Sequence, residues 1–302
     1  MASLAAGVND CAITADVSSD WQPVAASETG RQFAVTRCRG EKAATGVVDT
    51  LAQEVPIALV YNGISHVVML ATPADLEDFA YGFSYTEGII SERAQIYGID
   101  AKAIHQQDGQ LRGIELHIEL ATAQFAALKE QRRNLTGRTG CGLCGAESLA
   151  QVFKTPEHSK ASMPSLSLQV IDAAMVQLKS LQPLQQITGA THACAIANDQ
   201  GQVLKVREDV GRHNALDKLI GSLLRQSPDF NALWQKHWVL TTSRASYEMV
   251  QKVAMTGGRA LVAISAPTAL AVNLAKEYDF LLVGFARPAQ CVVYHGSLVE
   301  AG

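Results

Sequence analysis

Thr139-Gly140-Cys141-Gly142-Leu143-Cys144-Gly145 sets two thiols three positions apart, in a run with glycines at 137, 140, 142 and 145. Glycine accepts positive φ and puts no Cβ in the way of an approaching molecule. Arg138 adjoins the pair, and Lys129, Arg132 and Arg133 precede it. Neighbouring cations favour the thiolate, which is the reactive form of cysteine. The helix-like run Ala146 to Phe153 follows, and its N-terminal dipole acts in the same direction. These residues predict an accessible, reactive cysteine pair on a bendable loop.

A single C-x-x-C has several uses: half of a zinc site, a dithiol redox centre, or none. A structural zinc takes four ligands. The chain has neither a second C-x-x-C nor an H-x3-5-H, although two copies in a dimer could share one ion. A thioredoxin-like pair belongs between an early strand and its helix, whereas this one follows the polar run Lys129 to Gly140 near mid-chain. Sulfur or redox chemistry is the favoured reading.

A second unusual stretch runs from Glu208 to Lys218, Glu-Asp-Val-Gly-Arg-His-Asn-Ala-Leu-Asp-Lys. Leu216, Leu219, Ile220 and Leu223 have helical spacing, with Asp209 as the expected cap. Arg212 and His213 then fall in the first turn, where the helix dipole disfavours cations. Either they are simply exposed, or they face an anion together with the helix N-terminus.

Elements must bring these groups together. From Trp238 the chain alternates: strands at Trp238 to Thr242, Leu261 to Ser265, Phe280 to Phe285 and Val292 to His295, helices at Ser246 to Thr256 and Pro267 to Glu277. Such alternation implies a parallel sheet with right-handed crossovers, and ligands of such sheets bind beyond the carboxyl ends of the strands. Thr242-Ser243-Arg244-Ala245-Ser246, Ser265-Ala266-Pro267-Thr268 and Phe285-Ala286-Arg287-Pro288-Ala289-Gln290 belong at that edge. Two of them open helices, and Arg244 and Arg287 add bidentate donors. Together they predict a site for a nucleotide-like anion.

Upstream, Val55 to Tyr61 and Ile64 to Ala71 flank Asn62-Gly63, a strong hairpin signal. Thr72-Pro73 opens a helix through Leu76, Phe79 and Phe83, ended by Gly88. Ile96 to Ile104 and Leu111 to Leu120 are strands joined at Asp108-Gly109, and Thr122 to Arg133 is helical. This ββαββα unit carries no acid/base constellation, and His66, His105 and His117 read as surface or satisfied histidines. Residues 1–44 read as a poorly ordered tail with one strand at Gln32 to Arg37, 45–133 as an α+β domain, 134–167 as the cysteine loop and linker, and 168–302 as an α/β domain. Leu168 to Leu181 is an amphipathic helix, and Thr191 to Ala197 with Val203 to Val206 a hairpin.

A 302-residue chain that is 48% hydrophobic and 18% charged is globular, with room for two domains. Its net charge of -4 implies no broad nucleic-acid surface. The six cysteines are scattered apart from 141 and 144, unlike a secreted disulfide framework. Cys194 and Cys291 lie in apolar runs and read as core residues. No signal peptide and no membrane span are read from the chain, so the expected compartment is the cytoplasm, where free thiols survive.

Four segments carry a resemblance: Glu54 to Gly63, Gly137 to Gly145, Glu208 to Lys218 and Ser243 to Lys252. With them the sequence resembles the FdhD family of sulfur carriers, accessory factors for formate dehydrogenase. The resemblance implies a larger cytidine deaminase-like α/β/α domain beside a smaller N-terminal α+β domain. The deaminase H-x-E and P-C-x-x-C pair is missing, since His213-Asn214-Ala215 has no Glu and Gly140 precedes Cys141, so deamination is not expected. The implied role is sulfur transfer from a cysteine desulfurase to the molybdenum cofactor, as bis(molybdopterin guanine dinucleotide), before its insertion into formate dehydrogenase. Cys141 matches the persulfide carrier and Cys144 its partner. Phe285 to Gln290 matches the cofactor-binding stretch; family members often carry Gly-Arg where this chain has Ala289-Gln290, and Arg287 then supplies the cation. The implied state is a homodimer. A second reading of the same residues is a cofactor-binding chaperone whose cysteines form a redox or zinc clip.

Overall fold

The computed structural model describes residues 29–40, 42–133 and 162–300. The cysteine segment 137–145 and the helix-like run after it lie outside the described residues.

The chain first forms a two-stranded antiparallel ribbon, β1 (Gly30–Arg39) and β2 (Lys42–Ala52). Regular structure is therefore present within residues 30–44, part of the expected tail, and the strand expected at Gln32 to Arg37 is the middle of β1. The ribbon stands away from the core: Phe33 is 41% exposed, Val48 60% and Leu51 42%.

A four-stranded sheet follows, built from β3 (Val55–Tyr61), β4 (Ile64–Ala71), β5 (Ile96–His105) and β6 (Leu111–Leu120) in the order β4-β3-β6-β5. Asn62 takes φ 45° and Gly63 φ 80°, as the two-residue hairpin between β3 and β4 requires. Between β4 and β5 runs α1 (Leu76–Thr86), and α2 (Thr122–Arg133) follows β6. Pro73 stays outside α1. The cap is Asp75, at φ 51°, and Thr72 follows β4 directly as a buried junction residue.

The second half contains α3 (Leu168–Ser180), α4 (Pro183–Thr188), β7 (His192–Asn198), β8 (Val203–Asp209), α5 (Arg212–Gln226), α6 (Phe230–Leu233), β9 (His237–Thr241), α7 (Tyr247–Met255), β10 (Ala260–Ala263), α8 (Ala269–Glu277), β11 (Leu281–Arg287) and β12 (Gln290–His295). Its six strands order as β12-β11-β10-β9-β7-β8. Only β9, β10 and β11 are mutually parallel; β7, β8 and β12 run antiparallel to their neighbours. The parallel sheet expected from the alternation holds for β9, β10 and β11, and the expected β7–β8 hairpin forms, but the last strand, β12, turns back antiparallel on β11 through a short hairpin rather than a crossover helix.

Helices cover both faces of this sheet. Ile171, Ala174 and Leu178 of α3 pack against Trp238 and Val262 on one face. Leu216 and Ile220 of α5, Val250 and Val253 of α7 and Leu274 of α8 cover the other. That second core continues without a break through Phe79 and Phe83 of α1 into Ile57, Leu59 and Leu116 of the four-stranded sheet. The two halves are joined where α1 crosses α5. A Cβ on Gly82 would overlap the Asp217 carbonyl, and one on Gly221 would overlap that of Asp78, so both crossing positions need glycine.

Charged side chains are buried at this junction. Asp209 accepts from Lys218 Nζ at 2.6 Å, from the Thr72 amide at 3.0 Å and from the Gly211 amide at 2.7 Å. Lys218 also donates to the Thr72 carbonyl at 2.8 Å, and Asn214 to the Leu70 carbonyl at 2.8 Å. Nearby, Lys252 meets both Asp217 oxygens at 2.9 Å and Thr86 Oγ1 at 2.8 Å. Asp78 is held by Arg207 and Arg225. Buried charges of this kind are tolerated only when paired and hydrogen-bonded.

Candidate functional site

Strands β9, β10 and β11 end along one rim, and backbone bonds stitch their loops together. Ile264 N donates to the Thr241 carbonyl at 3.1 Å, Thr268 N to Ala245 at 3.0 Å, and Phe285 N to Ser265 at 3.3 Å. Ala245 and Pro267 form a parallel bridge between the first two loops, so Pro267 precedes α8, whose cap is Thr268. Because β7 and β8 pair antiparallel, the end of β8 reaches the same rim and α5 starts there.

Asp209 is not the cap of α5. It closes β8 as the buried partner of Lys218, and Gly211 is the cap residue, with no side-chain cap bond. The two ends of the Glu208 to Lys218 stretch thus lock two sheets together, leaving Arg212 and His213 between them at the rim. His213 Nε2 lies 2.9 Å from Glu248 Oε2 and 3.3 Å from Ser246 Oγ, at the start of α7. Burial works to raise the Glu248 pKa, but the bond and charge of His213, with Lys252 behind, outweigh it and hold that carboxyl below its ordinary value. Arg212 is half-buried, and its Nε atom, shut off from solvent, has no hydrogen-bond partner. Burial, with the Arg212 charge adding to it, lowers the pKa of His192.

Ser243 is buried beneath this rim, its Oγ 3.0 Å from Thr241 Oγ1, whereas Arg244 is exposed. Arg212, His213, Ser243 and Arg244 therefore share one end of the rim with Ser246, as expected, and with Glu248, which the sequence reading missed. Glu248 in the first turn of a helix was a readable acidic signal; its partner on another helix was not.

The stretch Phe285 to Gln290 lies apart from them. Arg287 ends β11, two strand spacings or about 10 Å from the β9 line, and β8 is about 20 Å from β11. It is a tight β11–β12 turn rather than an open loop, with Arg287 paired to Gln290. Ala289 takes φ 58°, and its amide donates to Asp172 Oδ2 at 2.9 Å. Ala286 is wholly buried and belongs to the core. Pro288 and Ala289 form the exposed corner. Phe285, at φ 50°, lines a cleft of about 270 Å³ with Arg287, Gln290, Cys291 and Val292. Cys291 is thus partly exposed in this cleft while packing against the edge of the core, and burial with Asp172 pushes its thiol pKa up. An aromatic face beside a guanidinium suits a planar base with an attached phosphate.

Cys141 and Cys144 lie outside the described residues. Among the described residues, no three or more metal-ligating side chains come together, and no helix is long and apolar enough to cross a membrane.

Comparison with known proteins fits this picture. The chain is 51% identical over 282 residues to the sulfur carrier protein FdhD of Cupriavidus necator, covering 92% of this chain and 93% of that one. A crystal structure from Desulfotalea psychrophila, described as a formate dehydrogenase accessory protein, superposes with a TM-score of 0.64 at 23% identity, covering 89% of this chain and 97% of the other, and shows the same fold. The model of the FdhD/NarQ family matches residues 52–298, and the chain belongs to that family.

Proposed function

We propose that this chain is a sulfur carrier serving formate dehydrogenase. The thiolate of Cys141 attacks the outer sulfur of a persulfide on a cysteine desulfurase. The S–S bond breaks, the desulfurase cysteine leaves as thiolate, and Cys141 holds the persulfide. No net oxidation occurs, and the rate follows the access and pKa of the two thiols. The acceptor is the molybdenum cofactor as bis(molybdopterin guanine dinucleotide), bound as substrate along the rim before insertion into formate dehydrogenase. Phe285 and Arg287 take a guanine end, and Arg212, His213 and Arg244 take phosphate. The separation of the two groups along the rim suits a ligand of that length. The Cys144 thiolate attacks the inner sulfur of the Cys141 persulfide, forming the Cys141–Cys144 disulfide and releasing the outer sulfur as hydrosulfide to the cofactor, and a dithiol reductant then restores the pair. The larger unit is taken as cytidine deaminase-like, and the compartment as the cytoplasm.

The observation that carries this reading is the 51% identity with a sulfur carrier across nearly the whole chain. The homodimer has a structural argument of its own. A lone two-stranded ribbon is marginally stable in water, and β1 and β2 expose apolar side chains that a second copy would cover.

The test is mass spectrometry of the Cys141 peptide after incubation with a cysteine desulfurase and cysteine. The expected gain is the mass of one sulfur atom on Cys141, absent in Cys141→Ala. A Cys141→Ala protein that still supports active formate dehydrogenase would refute the carrier role and favour the chaperone reading.

A further inference from the structure

The His213 side chain is placed by a residue from another helix. Its Nε2 lies 2.9 Å from Glu248 Oε2 and 3.3 Å from Ser246 Oγ. Glu248 and His213 are each about a quarter exposed, at 24% and 27%, so the pair sits at the rim with one side open to a ligand. Glu248 lies in the first turn of α7, where the helix dipole favours a carboxylate. His213 lies in the first turn of α5, where the dipole disfavours its cation. The carboxylate offsets that disadvantage. The other charged groups facing Glu248 are Lys252, which is engaged with Asp217, and Glu87.

We propose that Glu248 is a positioning residue for the anionic substrate. It fixes the His213 ring beside Arg212, where a phosphate of the ligand arrives. Ser246 limits the ring to one orientation. This rests on the reading of the rim as a guanine dinucleotide site and adds to it the residue that sets the phosphate contact. Glu248 touches no ligand and acts through His213.

The experiment is a double-mutant cycle on the full chain with guanosine diphosphate as the probe, affinity read by titration calorimetry. His213→Ala and Glu248→Ala each weaken binding about tenfold, the effect of one charge-assisted hydrogen bond. The double variant is no weaker than His213→Ala alone, since the carboxylate acts only through the ring. Glu248→Gln, which keeps an acceptor for Nε2 but no charge, recovers part of the loss. A merely structural role would show instead as additive losses and a lowered melting temperature in Glu248→Ala. Unchanged affinity in Glu248→Ala, or losses that add in the double variant, overturns the positioning role while the site stands. Absence of binding by the unmodified chain overturns the rim reading and this role with it.

Discussion

Lys218 Nζ lies 2.6 Å from Asp209 Oδ2, and solvent reaches neither side chain. One partner comes from α5 and the other from the end of β8, and both bind Thr72, directly after β4. The pair therefore ties the two sheets to each other through two bonds at Thr72. Replacing one partner leaves the other charged and buried. Asp209→Asn or Lys218→Met is expected to cost about 3–5 kcal/mol, the range for breaking a buried pair from one side. Urea unfolding checks this, and the double change to Asn and Met should recover part of the loss. Single variants as stable as the original chain would remove the junction role.

The crossing of α1 and α5 makes a sharper demand. The obstacles to a Cβ at Gly82 and Gly221 are the Asp217 and Asp78 carbonyls, backbone atoms that cannot rotate aside. Gly82→Ala should force the helices apart and break the bonds of Lys252 and Arg225 with them. The cost is expected at the upper end of overpacking penalties, about 3 kcal/mol or more. Thermal unfolding measures it. Gly109→Ala, at an open hairpin turn with φ 79°, separates backbone strain from steric overlap and should cost only about 1 kcal/mol.

Much of this could be read from the residues. β3 and β4 fall at Val55–Tyr61 and Ile64–Ala71 as expected, because apolar runs and Asn62-Gly63 fix both ends locally. The rim loops were legible because strand and helix alternation sends every βα turn to one edge. The ribbon was largely missed: its strands bury almost nothing, so no burial pattern imposes a period. Asp209 read as a cap because a helix pattern follows it. Its true partners are Lys218, one helix turn pair away, and Thr72, 137 residues earlier, and a single sequence does not display pairings at that range.

Lys252 gives the pH dependence. Burial alone would lower its pKa, but Asp217, Glu87 and Glu248 together hold it above the ordinary lysine value. A group with a raised folded pKa contributes stability that is fully present below the unfolded value, about 10.4, and is lost as pH rises through the folded one. Unfolding free energy should therefore fall as pH rises above about 10.4. In Lys252→Met the chain should be less stable at neutral pH, and the fall should be shallower. Denaturant titrations from neutral to strongly alkaline pH give both slopes, and equal slopes would exclude Lys252 as the group responsible.

The ribbon prediction concerns assembly. Val48 lies on one face, paired with Ala34, and Phe33 and Leu51 on the other. Val48→Lys puts a charge on the exposed apolar face without touching the core. If a second copy covers that face, sedimentation should show the dimer shifting to monomer while the unfolding free energy of the monomer stays within about 0.5 kcal/mol. A dimer of unchanged strength would place its interface elsewhere.

Cys194 sets the background for any measurement of sulfur loading. It is wholly buried, its thiol 3.4 Å from Thr241 Oγ1, and burial raises its pKa to about 12. The thiolate is the form that alkylates, so at pH 8 Cys194 should stay unmodified by iodoacetamide in the native chain. Cys38 is exposed and should react readily, and Cys291, half-exposed with a raised pKa, should react more slowly. Peptide mass spectrometry of timed native reactions reads all three. Persulfide transfer needs the same thiolate, so Cys194 should carry no added sulfur under conditions that load Cys141. Rapid native labelling of Cys194 would show that the rim above it opens, and Thr241→Ala, which removes the hydroxyl beside the thiol, would then be expected to speed that labelling further.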